Sequence, residues 1–226
     1  KNRPFLSASV TACDPPAPPA YSEDPSSPAY EEAFEVYTTV AQADAEQRAI
    51  AAFWSDDPFA TATPPGHSMS IATQALAQTE STLATAAEVY ARLGIAVADA
   101  FIATWRVKFQ YNYLRPITYV HDRIDESWTP LLITPPFPEY PSGHSVQSGA
   151  AAEVLTHVLG TLAFEDRTQD ALGLPPRSFS SFHEAAQEAA MSRLYGGIHF
   201  RSAIELGLLQ GYCIGERVNA LRFRAP

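Results

Sequence analysis

Proline decides where this 226-residue chain can be regular. Seven of its 19 prolines fall in the first 28 residues: Pro4, Pro15, Pro16, Pro18, Pro19, Pro25 and Pro28. A proline ring fixes φ and removes the backbone donor, so this density argues against a regular helix or an interior strand. Residues 1–28 are therefore expected to form an extended arm or linker. A second group, Pro130, Pro135, Pro136, Pro138 and Pro141, makes 129–141 a loop, and Pro175 with Pro176 marks a third break. What lies between the breaks has to supply the fold.

Between them, apolar residues recur at spacings of three and four, the period of an amphipathic helix. Ala86, Tyr90, Leu93, Val97, Phe101, Trp105 and Lys108 form one stripe. The pattern around it predicts a helical stretch from about Met69 to Tyr113, broken near Gly94 and ended or kinked by Pro116. Earlier, Phe34, Tyr37 and Val40 mark a short helix that starts near Tyr30. Asp44 followed by Gln47 reads as a capping box for a helix through Trp54, and Ser55 to Ser68 reads as loop. Ser145 to Leu159 is helical, with Gly160 as its stop. Ser181 and Glu184 read as a second capping box, for a helix to about Tyr195, and a last helix runs from about Phe200 to Leu221. Strand signals are almost absent. The expected fold is all-α, a helical bundle with long loops and little or no strand, over 29–226. The chain begins with Lys rather than Met, so it reads as processed or as a fragment, which leaves room for helices upstream.

Composition narrows the function classes. The chain is 46% hydrophobic and 18% charged, as globular domains are. No apolar run reaches the roughly 18 residues that cross a bilayer. A formal charge of -10 argues against nucleic acid as a partner. If so acidic a chain binds an anion, a few of its 15 Lys and Arg residues must gather at one place. Its two cysteines, Cys13 and Cys213, fit no metal-ligand spacing. Cys213 reads as a core residue. Val10-Thr-Ala-Cys13, with Lys1 and Arg3 ahead, loosely resembles a bacterial lipoprotein cleavage site, but Pro4 interrupts its short apolar stretch. A disulfide between the two cysteines is left open.

Three segments concentrate chemistry. On a continuous helix, Lys108 and Arg115 would lie seven residues apart on nearly one face, and two cations on an apolar stripe need an anion. Their plain alternative is a solvated edge. Pro141-Ser142-Gly143-His144 leads into a helix, whose N-terminal N–H groups suit an oxyanion. Gly143 lets backbone come close, Ser142 adds a hydroxyl, and His144 can exchange a proton near neutral pH. A simple capped turn explains Ser142 and Gly143 but not His144. In Ser192-Arg193-Leu-Tyr-Gly196-Gly197-Ile-His199, the glycine pair breaks the helix, so that Arg193 and His199 can face one point. Otherwise they form a helix corner with a core histidine. Together the segments provide three cations, a hydroxyl, a backbone donor and two histidines, the inventory for a buried tetrahedral oxyanion.

The order Lys-x6-Arg-Pro, Pro-Ser-Gly-His and Ser-Arg-x5-His resembles the superfamily of vanadium-dependent haloperoxidases and type-2 phosphatidic acid phosphatases. All three motifs are complete over residues 108–199, and the likeness extends from Tyr30 to Arg222 in the style of the bacterial haloperoxidases. The resemblance implies a vanadate cofactor, with phosphate able to occupy the same site. Lys108, Arg115, Ser142, Gly143 and Arg193 would hold its oxygens, and His199 would be the axial ligand to vanadium. His144 would be the acid–base residue, and Lys108 the main electrophilic helper. The implied reaction is oxidation of halide, iodide or bromide, by hydrogen peroxide to hypohalous acid. The alternative within the superfamily is a soluble acid phosphatase acting through a phosphohistidine at His199, with His144 protonating the leaving group. Trp105 and Phe137 look like aromatics that shape a halide site and so favour vanadate over a phosphate ester; their plain alternative is ordinary core packing.

The resemblance also implies export, and the apolar helices leave room for a homo-oligomer. Pro65-Gly66-His67-Ser68 imitates the second motif without its serine and is read as loop and helix cap. His121, His157 and His183 are read as surface or supporting residues. Asp56 or Asp57 could orient a pocket cation or His144, and nothing in the sequence selects between them.

Overall fold

A computed structural model describes residues 2–223 of the chain. Its helices are α1 (Ser7–Ala12), α2 (Pro28–Gln42), α3 (Ala45–Phe53), α4 (Thr63–Gln78), α5 (Leu83–Tyr111), α6 (Pro116–Arg123), α7 (Gly143–Leu159), α8 (Phe182–Tyr195) and α9 (Arg201–Asn219). Between α7 and α8 a small antiparallel pair, β1 (Phe164–Asp166) and β2 (Arg177–Phe179), sets Phe164 opposite Phe179. The fold is all-α, as the helical periodicity requires. Among the described residues, no helix is long and apolar enough to cross a membrane.

Helix α7 is the axis of the bundle, packed by α9, α5, α8 and α4. Small and branched residues bury it on several sides, with Val146, Ala150, Ala151, Ala152, Val154 and Leu155 in the core. Helix α9 carries Gly207, Gly211 and Gly215 at spacings of four, and a Cβ at any of them would lie within 3 Å of α7 atoms. These glycines let the two backbones approach closely. The start of α7 is thereby held beside the start of α9, where the Ser142 N–H donates to the Ala203 carbonyl at 3.0 Å.

Several expected boundaries move, each for a local reason. The stretch from Met69 to Tyr113 is two helices, and they divide at residues 79–82 rather than at Gly94. There the Thr79 hydroxyl donates to the Ala75 carbonyl, and Thr82 caps α5 by accepting from the Thr85 N–H. Helix α4 begins at Thr63 because Pro64 and Pro65 occupy its first turn, where no backbone donor is needed. Residues 63–68, read as loop, are therefore helical. Helix α5 stops at Tyr111, before Pro116, with Asn112 in the left-handed region; Pro116 instead opens α6. In α2 the core stripe is Ala29, Ala33, Val36 and Val40, while Phe34 is 45% exposed. The Asp44–Gln47 capping box forms as expected. Ser181 caps α8, but the Glu184 carboxylate turns to the N–H and hydroxyl of Ser180, so that box is only half made.

The proline-rich arm is laid along the bundle. No proline lies between Pro4 and Pro15, so α1 can form there, and the Asp99 carboxylate accepts the N–H groups of Phe5 and Leu6. A disulfide joins Cys13 to Cys213 on α9. Further on, the Pro16 and Ser22 carbonyls accept hydrogen bonds from the Tyr140 and Tyr119 hydroxyls.

Candidate active site

Lys108 ends the apolar stripe of α5 and is fully buried. Its ammonium donates to the carbonyls of Pro138 at 2.9 Å and Glu139 at 2.7 Å. The Trp105 and Phe137 rings lie beside it, 5.8 and 5.3 Å from Nζ to the ring centres. Burial, reinforced by the nearby Arg115 charge, pulls its pKa well below the ordinary lysine value. Arg115 is not on the same helix as Lys108. It caps α6 after the left-handed turn at Asn112, so the two cations meet because the chain reverses, not because they share a face.

The Arg115 guanidinium donates to the Phe137 carbonyl at 2.9 Å and the Ile198 carbonyl at 2.8 Å, and Nη1 lies 3.1 Å from His199 Nε2. The Phe137 ring covers it, with 4.9 Å between guanidinium carbon and ring centre. Arg193 leaves the last turn of α8 and donates to the Trp54 carbonyl at 2.7 Å. Burial draws both arginines down to about 10, which leaves them protonated at neutral pH. Gly197, at φ +77°, turns the chain between Arg193 and His199, a backbone conformation that glycine adopts without strain.

The partners of His199 fix its tautomer. Nδ1 lies 2.7 Å from Glu139 Oε1, which also accepts the Phe200 N–H at 2.9 Å. A carboxylate oxygen taking two bonds this way is an acceptor, so Nδ1 carries the hydrogen. Nε2 then presents its lone pair toward the Arg115 guanidinium. Burial and the charges of Arg115, Lys108 and Arg193 hold His199 neutral, well below the usual histidine value. Burial lifts Glu139 to about 7 against the pull of Lys108 and Arg115.

Ser142 caps α7 by accepting from the Ser145 N–H, and its own hydrogen remains available to another acceptor. Trp105 packs against Phe137 at 5.0 Å, and a Cβ at Gly143 would stand 3.3 Å from the Trp105 ring. His144 lies near Asp56, with Nε2 3.7 Å from Oδ2. Burial and the Arg193 charge lower it to about 4.

The structure thus brings Lys108, Arg115, Ser142, Gly143, His144, Arg193 and His199 to one buried cluster, with Trp105 and Phe137 against it. Of the two acids left open, it is Asp56 that faces His144. Glu139 was missed by the sequence reading. An acid between apolar residues of a proline-rich loop, three positions before Ser142, was the available signal. Several buried polar atoms in and beside the cluster have no hydrogen-bond partner among the described residues: Arg115 Nη2, Arg193 Nε, His144 Nε2, Ser145 Oγ and Glu139 Oε2. His67, read as loop and cap, is a fully buried residue of α4. Cys13, compared above to a lipoprotein site, has its sulfur in the disulfide. His121 hydrogen-bonds with the Trp128 carbonyl and His183 packs on Tyr212, apart from the cluster.

A family model described as the VCPO second helical-bundle domain matches residues 88–224. Vanadium chloroperoxidase of Curvularia inaequalis is 32% identical over 95 residues, covering 35% of this chain and 16% of that protein. The crystal structure of the first bacterial vanadium-dependent iodoperoxidase is similar at a TM-score of 0.91 with 46% identity, over 96% of this chain and 55% of that chain. A holo-type bacterial vanadium-dependent chloroperoxidase matches at 0.71 with 17% identity, over 93% of this chain and 51% of that one, a likeness of fold. The chain therefore spans about half the length of the matched structures and a smaller share of the fungal protein.

Proposed function

This chain belongs to the VCPO second helical-bundle domain family, and from that premise we propose that it carries the vanadate site of a haloperoxidase, one that oxidises iodide or bromide with hydrogen peroxide. The observation that carries the reading is the set of buried donors left without partners, Arg115 Nη2 and Arg193 Nε, beside the His199 Nε2 lone pair. Unpaired buried cationic donors are costly, and an oxyanion is the ligand that satisfies them. That donor set suits vanadate: Lys108, Arg115 and Arg193 for its charge, the Ser142 hydroxyl and the Gly143 N–H for its oxygens, and His199 Nε2 for the metal. Phosphate suits the same oxygen-binding groups.

Bound vanadate would supply a Lewis-acidic centre at which hydrogen peroxide becomes electrophilic toward halide. The protein's part is to hold charge and protons in place. Glu139 keeps the hydrogen on Nδ1 of His199, so Nε2 faces the pocket as a base without titrating. Neutral His144, aligned by Asp56, can take a proton from incoming peroxide. Lys108 and Arg115 sit under the Phe137 ring, where low dielectric strengthens their pull on developing negative charge. Trp105 and Phe137 wall this side of the cluster, and they are proposed to border the halide. Hypohalous acid would then halogenate a nearby acceptor. The disulfide supports placing the protein outside the reducing cytosol.

The test is to strip the protein with phosphate and chelator, restore vanadate, and follow iodide and bromide oxidation beside phosphate-monoester hydrolysis. Vanadate-dependent halide oxidation that vanishes in His199→Ala supports the reading. Monoester hydrolysis inhibited by vanadate, with no halide oxidation, overturns it.

A further inference from the structure

The segment Pro65-Gly66-His67-Ser68 has no part in the chemistry above, yet His67 is only 1% exposed. Its ring is clamped on every side. Nδ1 lies 2.9 Å from Asp56 Oδ1 and Nε2 2.8 Å from Asp166 Oδ2. Trp54 stacks on one face, with centroids 4.4 Å apart and planes 15° from parallel, and Phe53 meets the ring edge-on. Ionised carboxylates only accept, so both ring nitrogens carry hydrogen and His67 is an imidazolium. Asp166 Oδ1 accepts the Thr168 N–H at 2.9 Å. Asp56 Oδ2 is shared: it lies 3.1 Å from His67 Nδ1 and 3.7 Å from His144 Nε2. Gln169 also donates to Asp56 Oδ1, at 3.0 Å.

We propose that His67, backed by Asp166, is a positioning residue for His144: its positive charge offsets that of Asp56 and fixes the carboxylate, so that Asp56 orients His144 without drawing it into the protonated form. Four groups stand in line, Asp166, His67, Asp56 and His144, supplied by β1, α4, the α3–α4 loop and α7. Without the imidazolium, Asp56 would be a buried carboxylate facing His144, and the pair would settle as an ion pair. With it, the two carboxylates and the imidazolium together carry one net negative charge, and the imidazolium offsets part of the pull of Asp56 on His144. The charged groups that act on His144 are Asp56, Arg193 on α8 and His67 itself, and the first turn of α7 adds no acid. The ordering of affinities agrees with the geometry. Burial works against charge on His67, but hydrogen bonds to Asp166 and Asp56 outweigh it and lift the ring to about 9. Burial and Arg193 keep His144 near 4 although Asp56 pulls upward.

The role assigned to His67 rests on reading His144 as the acid–base residue, so its test is made on vanadate-free protein. Nitrogen-15 histidine spectra would follow His144 in wild type, His67→Asn and His67→Gln. Asparagine keeps a donor toward Asp56 and glutamine one toward Asp166, and neither carries charge. The expected result is a rise in the His144 pKa on the order of one unit in both, since an opposite charge is left less compensated. In the vanadate-loaded enzyme the acid limb of the halide-oxidation profile should move with it. A folded variant with lower melting temperature but an unmoved His144 pKa overturns the proposal, because a purely structural His67 predicts that. Should neither variant fold, the wild-type spectrum decides. Two protonated ring nitrogens on His67 at neutral pH support the proposal, and one bare nitrogen overturns it. If wild type oxidises no halide but the His144 pKa still shifts, the haloperoxidase reading fails while the coupling stands.

Discussion

Replacing Gly211 by alanine puts a methyl group against the backbone of α7. A Cβ there would stand 2.3 Å from the Val146 carbonyl oxygen and 2.9 Å from the Ala150 nitrogen. Carbon and carbonyl oxygen settle no closer than about 3.3 Å, so the helices must part by about 1 Å at this level. Neither atom can swing aside, because both belong to helix backbone. Overpacking costs about 1–3 kcal/mol, and a clash with backbone falls at the upper end. Alanine's better helix propensity returns about 1 kcal/mol. The net loss is therefore about 2 kcal/mol, which lowers the melting temperature of a domain this size by about 4–8 °C. Gly94→Ala is the internal control. The nearest atom to its Cβ is the Met69 methyl at 4.0 Å, so the propensity gain is unopposed and stability should rise by about 0.5–1 kcal/mol. The same displacement reaches the site, because Ser142 is bonded to Ala203 across the start of this helix pair. A shift near 1 Å between Ser142–His144 and His199 can lower activity on the order of 100-fold. Urea unfolding by circular dichroism and a vanadate titration read both effects. Gly211→Ala as stable as wild type refutes the packing argument. Lower stability with unchanged vanadate affinity refutes its transmission to the site.

Three further perturbations have defined outcomes. Arg193→Met removes a buried cationic donor, worth about 1.5–3 kcal/mol when it meets an anion. Vanadate affinity by equilibrium dialysis should fall on the order of 10- to 100-fold, and a change under about twofold would exclude Arg193 from the anion. Replacing Cys13 and Cys213 by serine opens a loop of 200 residues. That should cost about 2–4 kcal/mol and expose residues 14–27 to proteolysis, and unchanged unfolding midpoints would contradict it. The pH dependence of stability has two limbs. His67, raised to about 9, contributes stability that is complete below about pH 6.5 and lost as pH rises through 9. His144, lowered to about 4, loses stability as pH falls from 6.5 through 4. Each displacement is worth roughly 3 kcal/mol. His67→Asn should flatten the alkaline limb in urea titrations from pH 4 to 9 and, by raising the His144 pKa, shorten the acid limb; a retained alkaline slope would disprove the assignment.

The parts of the site readable from sequence are those with local grammar. Ser142 and Gly143 precede a helix, and Gly196-Gly197 interrupts one, so their geometry follows from capping and turn rules that act over a few residues. Lys108 and Arg115 were grouped correctly for a wrong reason. Seven residues put them on one helical face, whereas the chain brings them together through the turn at Asn112 and the new helix at Pro116. The supporting acids are a different matter. Asp56 and Asp57 are adjacent and equivalent by composition, and only the packing of α3 and α4 around Trp54 chooses between them. Asp166 lies 99 residues from His67, on a strand of three residues, and no local pattern joins the two. His67 was lost through a helix start. Pro64 and Pro65 look like loop markers but fill a first turn, and that makes a buried helical histidine read as part of a loop and cap.

The placement of charge explains how so acidic a chain can hold an anion. Its net charge of -10 opposes anions at long range, but salt at 0.15 M screens that field beyond about 8 Å. Inside the cluster the balance reverses. Arg115 and Arg193, drawn to about 10, still hold their protons at neutral pH, while burial has brought Glu139 up to about 7. Asp56 has both carboxylate oxygens within 3.1 Å of His67 Nδ1. The cations are thus left under-compensated where water is excluded and each charge acts most strongly. Anion affinity should depend on these few buried groups and hardly at all on the distant acidic surface. Removing exposed carboxylates such as Glu165 and Asp170 is expected to leave the vanadate affinity within about twofold of wild type at 0.15 M salt, and a larger change would refute this division of charge.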